Sequence, residues 1–153
     1  MNLFDAQVAY DESDPDGYRN GRLRIGPEIG ASKLGGSIWE LPPGQATCPY
    51  HWEGHNEEWI VVLTGTVTLR TPAGESTLGA GEVACFPVGP EGAHKLVNRT
   101  EETVRILLLS TMVSPDWAVY PDSDKIGVFG LPGGEGKLFR ASSSVDYYDG
   151  ETS

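Results

Sequence analysis

The chain has 153 residues, with 22 acidic against 11 basic side chains and a formal charge of −11 when its three histidines are neutral. That length suits one compact domain, whose single core buries on the order of two thirds of the surface that the unfolded chain exposes. The charge argues against nucleic acid and against anionic membrane surfaces as partners, since no local basic cluster offsets it. Two cysteines are too few for a disulfide scaffold, and the start Met-Asn-Leu-Phe-Asp has no basic segment leading into an apolar run, so a cytoplasmic protein is the expectation. The longest apolar runs, Trp59 to Leu63 and Ile106 to Leu109, fall far short of the roughly 20 residues of a membrane helix.

Glycine (20 residues) and proline (11) make up roughly a fifth of the chain, against about 12% in ordinary proteins. No segment sustains helical periodicity over a dozen positions without one of them. Short strands fit instead: Arg22 to Ile25, Ser37 to Leu41, Glu57 to Thr64, Thr66 to Thr71, Glu82 to Pro87, His94 to Asn98 and Thr103 to Ser110, each bounded by turn formers. Thr71-Pro72-Ala73-Gly74-Glu75 is a hairpin loop by composition, and Asn98 to Glu102 plays the same part before the run Val104 to Leu109. Several short strands at turn spacing imply an antiparallel sandwich or barrel. Residues 10–17 are acidic around one proline, and 141–153 are serine-rich and acidic; both are expected as solvated arms, with Tyr147 and Tyr148 able to anchor the tail. Between them, 113–140 carries Trp117, Tyr120, Phe129 and Phe139, enough aromatic bulk to pack on a barrel wall. The expected organisation is one domain, 1–153, with a core barrel over about 20–112 and an accessory C-terminal arm over 113–153 wrapped on its outside.

All three histidines lie between 51 and 94, two of them inside the acidic stretch Tyr50-His51-Trp52-Glu53-Gly54-His55-Asn56-Glu57-Glu58-Trp59. On a strand, positions two apart share a face, so His51 and Glu53 point the same way. A turn at Gly54-His55-Asn56 brings the chain back antiparallel, and with Glu58 inward on the return strand, Ile60 and Val62 are inward too. His94 opens a strand on which Leu96 and Asn98 share its face. Imidazoles and carboxylates converging in an interior are unstable as a bare set, because desolvated carboxylates side by side cost several kcal/mol each unless protonated or paired. No basic residue flanks the hairpin. One divalent ion is the natural partner, and imidazole with carboxylate suits zinc, iron, manganese or nickel.

These residues resemble the cupins, small antiparallel jelly-roll barrels. The first cupin motif has glycine, five residues, His-x-His, three or four residues, Glu, six residues and Gly; here His51-x-Glu53, four residues, Glu58, six residues and Gly65 follow it, with six residues between Gly44 and His51. The second has glycine, five residues, Pro-x-Gly, two residues, His, three residues and Asn; here Gly81 is followed by Pro87-Val88-Gly89, a loop two residues longer, His94 and Asn98. The likeness covers residues 44–110. It implies a single-domain all-β jelly-roll barrel with His51, Glu58 and His94 as metal ligands. Glu53 stands where the family has its second histidine, and is either a fourth ligand or a general base beside the metal. The resemblance also implies a homodimer formed through sheet edges and a small-molecule ligand or substrate. As an enzyme, such a protein uses its ion on a small oxygen-bearing compound in dioxygenase, isomerase, decarboxylase or lyase chemistry. The other class of function is a non-catalytic binding or sensing module that holds a small ligand in the same cavity, and a third is a purely structural ion in a closed shell.

Each motif has a plainer alternative. Glu53, Glu57 and His55 form a solvated acidic turn if no metal binds, and His55 and Glu57 are expected to face solvent either way, although His55 is placed to swing in for the missing imidazole. Cys48 and Cys85 are candidate thiol nucleophiles, but Val83-Ala84-Cys85-Phe86 has the composition of a core strand and Cys48, three positions from His51, falls on the opposite strand face. Gly130 to Lys137 fails as a phosphate loop on spacing, and a surface loop is expected there. The match of Asn98-Arg99-Thr100 to a glycosylation acceptor is incidental in a cytoplasmic chain. Trp39, Trp52 and Trp59 are candidates to line the barrel or its mouth, with packing as the plainer role and Trp59 expected on the outer sheet face.

Overall fold

The computed structural model describes residues 1–132, 134 and 136–151. Its strands are β1 (Ala9–Tyr10), β2 (Gly21–Arg24), β3 (Leu34–Leu41), β4 (Trp52–Glu53), β5 (Glu58–Thr64), β6 (Thr66–Thr71), β7 (Gly74–Gly79), β8 (Val83–Phe86), β9 (Lys95–Val97), β10 (Val104–Thr111), β11 (Asp116–Tyr120), β12 (Lys125–Phe129) and β13 (Lys137–Arg140). They form a six-stranded sheet in the order β1-β2-β3-β10-β5-β8, a four-stranded sheet β13-β12-β11-β4 and a three-stranded sheet β7-β6-β9. The ladders are antiparallel, and among the described residues they remain separate, so the jelly roll is not closed by a continuous ring of hydrogen bonds. No described helix is long and apolar enough to cross a membrane.

Side-chain alternation on a pleated strand sends every second residue to one face, and the apolar ones define the core. Leu41 of β3, Ile60 and Val62 of β5, Phe86 of β8 and Val104 and Ile106 of β10 meet Val67 and Leu69 of β6 and Leu96 of β9. The six- and three-stranded sheets therefore pack face to face. Glu58, Ile60 and Val62 share the inner face of β5, as the alternation requires. Gly65, with φ +79°, makes the one-residue link between β5 and β6, and a Cβ there would meet Val104 Cγ2 at 3.1 Å.

The expected strands lie close to the observed ones, and Thr66–Thr71 coincides with β6. β3 begins earlier than expected because Gly35 and Gly36, which punctuate the sequence, pair with Ser110 and Leu109 of β10. One expectation is corrected. Trp52 and Glu53 do not form a hairpin with the strand that follows: β4 pairs with β11, Glu53 opposite Ala118 and Trp52 opposite Val119. Gly54 permits this, since its N–H donates to the Trp117 carbonyl at 2.7 Å and a Cβ would overlap the Trp117 indole. The segment 113–140 continues the β architecture beyond the core strands. Its strands β11–β13 make a sheet of their own around β4, and Asp116 and Tyr120 line the cavity described below. Tyr147 and Tyr148 stay exposed and pack edge-on against each other, so they do not anchor the tail. Of the Gly130 to Lys137 loop, Gly133 and Glu135 lie outside the described residues, as do Thr152 and Ser153 of the terminal arm.

Candidate metal centre

His51 and His94 face one another through a two-residue antiparallel bridge. The His51 N–H donates to the His94 carbonyl at 3.2 Å and the His94 N–H to the His51 carbonyl at 2.8 Å. This backbone clamp joins the two distant motifs and sets the rings 4.8 Å apart between centroids. Both residues are buried, at 8% and 3% exposure. Each Nδ1 lies 2.9 Å from the carbonyl two residues earlier, Pro49 for His51 and Gly92 for His94. A carbonyl only accepts, so Nδ1 carries the proton and, in the neutral ring, Nε2 presents a lone pair. Phe86 stacks on His94 at 3.7 Å between centroids, and Tyr120 on His51 at 5.7 Å, which fixes both ring planes.

Glu58 arrives at the head of β5, pointing inward. Its Oε2 lies 3.4 Å from His94 Nε2 and 3.9 Å from His51 Nε2. That oxygen is buried and has no hydrogen-bond partner among the described residues. One ligand atom from each of His51, Glu58 and His94 falls within 4.8 Å of the others. A cation bound at roughly 2.1 Å holds its ligands about 3–3.5 Å apart, so a small contraction closes the set. An uncompensated buried acceptor facing two imidazole lone pairs costs stability unless something positive sits between them.

Glu53 adjoins this set from the side, with Oε1 3.4 Å from His51 Nε2. Burial raises its pKa above the usual carboxylate value of 4.5; His51 pulls it down, and the Asp116 and Glu58 carboxylates push it further up. Burial opposes charge on His51, but Glu53 and Glu58 outweigh it and hold the pKa above 6.5. Tyr120 is pushed up to about 12, by burial first and then by Glu53, so its phenol keeps its proton.

A cavity of about 720 Å³ opens from these groups. His51, Glu53, Glu58 and His94 all line it, so the four expected site residues come together. His55 does not join them: its Nδ1 lies 2.8 Å from the Pro115 carbonyl and its N–H donates to Asp116 at 2.9 Å, which turns the ring outward. Glu57 is also exposed and accepts from the Trp59 indole at 2.9 Å.

The cysteines correct two expectations. Cys85 is exposed, not in the core, because alternation along the edge strand β8 sends Ala84 and Phe86 inward and Val83 and Cys85 out. Cys48 lines the same cavity as His51, because 48–51 is not a regular strand and parity does not apply across Pro49. Burial, with Glu58 adding to it, pushes the Cys48 thiol up to about 12, which leaves it protonated and a poor nucleophile. Trp39, which the sequence offers as a lining or a packing residue, lines the cavity; Asp116, Tyr120 and Arg24 line it too and escaped the sequence reading, since they come from elements whose pairing with the motif strands has no local signal.

Comparison with known proteins agrees with this architecture. The family model described as "Cupin domain" matches residues 37–110. No curated protein matches the chain. A crystal structure of a sugar phosphate isomerase of the cupin superfamily from Silicibacter pomeroyi is similar over 97% of each chain, at 25% identity and a TM-score of 0.81. The polyketide cyclase RemF from Streptomyces resistomycificus is similar over 76% of this chain and 81% of its own, at 23% identity and a TM-score of 0.60, which speaks for the fold alone. The chain belongs to the cupin superfamily.

Proposed function

We propose that the protein is a metal-dependent enzyme that holds one divalent cation on His51, Glu58 and His94 and moves a proton on a small oxygen-bearing substrate, in the manner of an isomerase. One observation carries the metal site: a buried, unpartnered carboxylate oxygen 3.4 and 3.9 Å from two imidazole nitrogens whose other nitrogens are tied to backbone carbonyls. Zinc, iron, manganese and nickel all suit this donor set. When bound there, the ion supplies Lewis acidity toward a carbonyl or enolate oxygen.

The chain's own residues do the rest. Glu53 lines the cavity beside His51, and its raised pKa brings it toward the range where one carboxyl both takes and returns a proton. We assign it as the general base, not as a fourth ligand. Tyr120, kept protonated, supplies a hydrogen-bond donor on the other side of His51. Trp39 and Leu108 form an apolar wall that excludes water. The Silicibacter structure's description as a sugar phosphate isomerase supports the isomerase class, since such a reaction passes a proton between neighbouring carbons.

Incubating the metal-loaded protein in D₂O with a panel of aldose and ketose phosphates tests this. Deuterium entering the carbon beside the carbonyl, and lost in Glu53→Gln, is expected; a metal-loaded protein that exchanges none of them rules the isomerase reading out. Glu53 in place of the usual histidine favours the second reading, a binding or sensing module. Such a module would keep its ligand after the metal is stripped.

We further propose that two copies pair through the outer face of the six-stranded sheet, where Leu34, Trp59 and Val83 are exposed and β8 is an open edge. Both cysteines are free, as a reducing cytoplasm permits. The barrel part, 20–112, and the segment from 113 work as one unit, because the ligands come from the first and Asp116 and Tyr120 from the second.

A further inference from the structure

Among the described residues, Arg24 is the only arginine or lysine that lines the main cavity, and Glu53, Glu58 and Asp116 are the carboxylates on its walls. In a chain with a formal charge of −11, an arginine beside carboxylates ordinarily pairs with one. Arg22, Arg70, Arg99 and Arg105 do so, and Arg19 and Arg140 donate to backbone carbonyls. Arg24 alone makes no ion pair or hydrogen bond among the described residues.

A second donor near it is also unmatched. The indole N–H of Trp39 is buried without an acceptor, and Trp39 lines the same cavity. The ladders place the two on one face as diagonal neighbours: Arg24 stands opposite Ser37 and Arg22 opposite Trp39, with the Arg22 guanidinium 5.6 Å from the Trp39 ring, so all four share the inner face of the sheet. A smaller cavity of about 150 Å³ shares Arg24, Ser37, Leu108 and Ser110 with the main one, so space continues around the guanidinium. A buried N–H with no acceptor and an arginine with no carboxylate partner among the described residues, on two residues that line one cavity, suit an anion-binding subsite.

We infer that Arg24, Trp39 and Ser37 bind the anionic group, a phosphate ester or carboxylate, of the molecule whose oxygens meet the metal cluster. The second half of this statement rests on the proposed metal site; the anion subsite stands on its own donors. β2 lies three strands from β5 across β3 and β10, and Arg24 is in register with Ile60, two residues from Glu58, which separates the backbones of Arg24 and Glu58 by roughly 16 Å at about 4.8 Å per strand and 3.4 Å per residue. With both side chains reaching into that gap, a bridging ligand is a short chain with its anion at one end and its carbonyl and hydroxyl oxygens at the other. Arg24, the one arginine or lysine among the described residues that line the cavity, also gives an acidic protein a favourable place for a negatively charged substrate.

The test is a titration of the ¹⁵N-labelled full chain, freed of metal with EDTA, with inorganic phosphate and in parallel with acetate at constant ionic strength. The Arg24 Nε–H and Trp39 Nε1–H resonances report. Saturable shifts of both with one dissociation constant are expected, and the tighter anion names the ligand chemistry. Arg24→Gln should weaken binding about tenfold, and Trp39→Phe, which removes the donor and keeps the ring, by roughly threefold or more. Arg24 is exposed, so its variant folds, and Trp39→Phe checks the same claim independently. Absence of saturation with either anion, or affinity unchanged in both variants, overturns the inference. Metal uptake measured on the same preparation separates the two readings, since anion binding without metal, or metal without anion binding, shows which has failed.

Discussion

Glu58→Gln tests the candidate metal centre at the group whose chemistry most requires a cation. The substitution keeps the shape of the side chain and removes the charge. In the metal-free protein its effect on stability is small: the carboxylate loses hydration, with Oε2 buried and unpartnered, and gains from His51 at 3.9 Å only to the extent that this ring takes up a proton. These terms offset to within about 1 kcal/mol, as buried ion pairs commonly do. With metal the balance differs. A cation present at a hundredfold excess over its dissociation constant stabilises the native state by about 2.7 kcal/mol. For a chain of this size that raises the melting temperature by roughly 5–10 °C. Loss of one charged ligand of three lowers affinity about a hundredfold or more, which removes nearly all of that increment. Thermal melts of wild type and variant, each with EDTA and with added Zn²⁺ or Mn²⁺, should show similar midpoints without metal and a rise in wild type alone. An equal rise in the variant would refute the assignment of Glu58, and a variant many degrees less stable without metal would refute the claim that its carboxylate is uncompensated.

Other expectations can be checked alongside. His94→Ala should lose the metal and also cost about 2–3 kcal/mol in chemical denaturation, because its ring is buried and stacked on Phe86; an unchanged midpoint would show that the stack contributes nothing. Glu53→Gln should keep stoichiometric metal and lose proton exchange by about a hundredfold or more, whereas loss of metal would make Glu53 a ligand. Without metal, His51 binds its proton more tightly folded than unfolded, so its stabilising contribution is complete below pH 6.5 and fades as pH rises through its raised folded pKa. Glu53, also raised, acts in the same direction from pH 4.5 upward. With metal, protons compete for His51, so affinity and stability should instead rise with pH; melts across pH that slope alike with and without metal would contradict this. Trp59→Glu on the outer sheet face should yield a monomer by light scattering with metal content unchanged, and a wild type already monomeric at micromolar concentration removes the dimer.

The features legible from sequence were those set by short-range periodicity. Glu58, Ile60 and Val62 had to share a face because they alternate on one strand, and His94, Leu96 and Asn98 likewise. Motif spacing brought His51, Glu58 and His94 together, although the clamp that joins them, a pair of backbone hydrogen bonds between residues 51 and 94, has no sequence signature. Parity failed where the strand was not regular, as for Cys48 beyond Pro49, and composition failed at Cys85, where an edge strand with an exposed outer face carries apolar residues. The pairing of β4 with β11 was hidden for a different reason. Two residues make too short a strand to show a pattern, and their partner lies far along the chain, so Asp116 and Tyr120 reached the cavity unannounced. Arg24 was silent because an arginine on an exposed strand is ordinary until its described neighbours are seen to offer it no ion pair.

The most direct test of the metal centre is elemental analysis of the purified protein joined to an anomalous difference map at the absorption edge of the metal found. One ion per chain, with a single peak about 2.0–2.3 Å from His51 Nε2, His94 Nε2 and a Glu58 oxygen, is the predicted result. A protein that takes up no divalent metal when offered it, or a peak that lies away from these three groups, would contradict it.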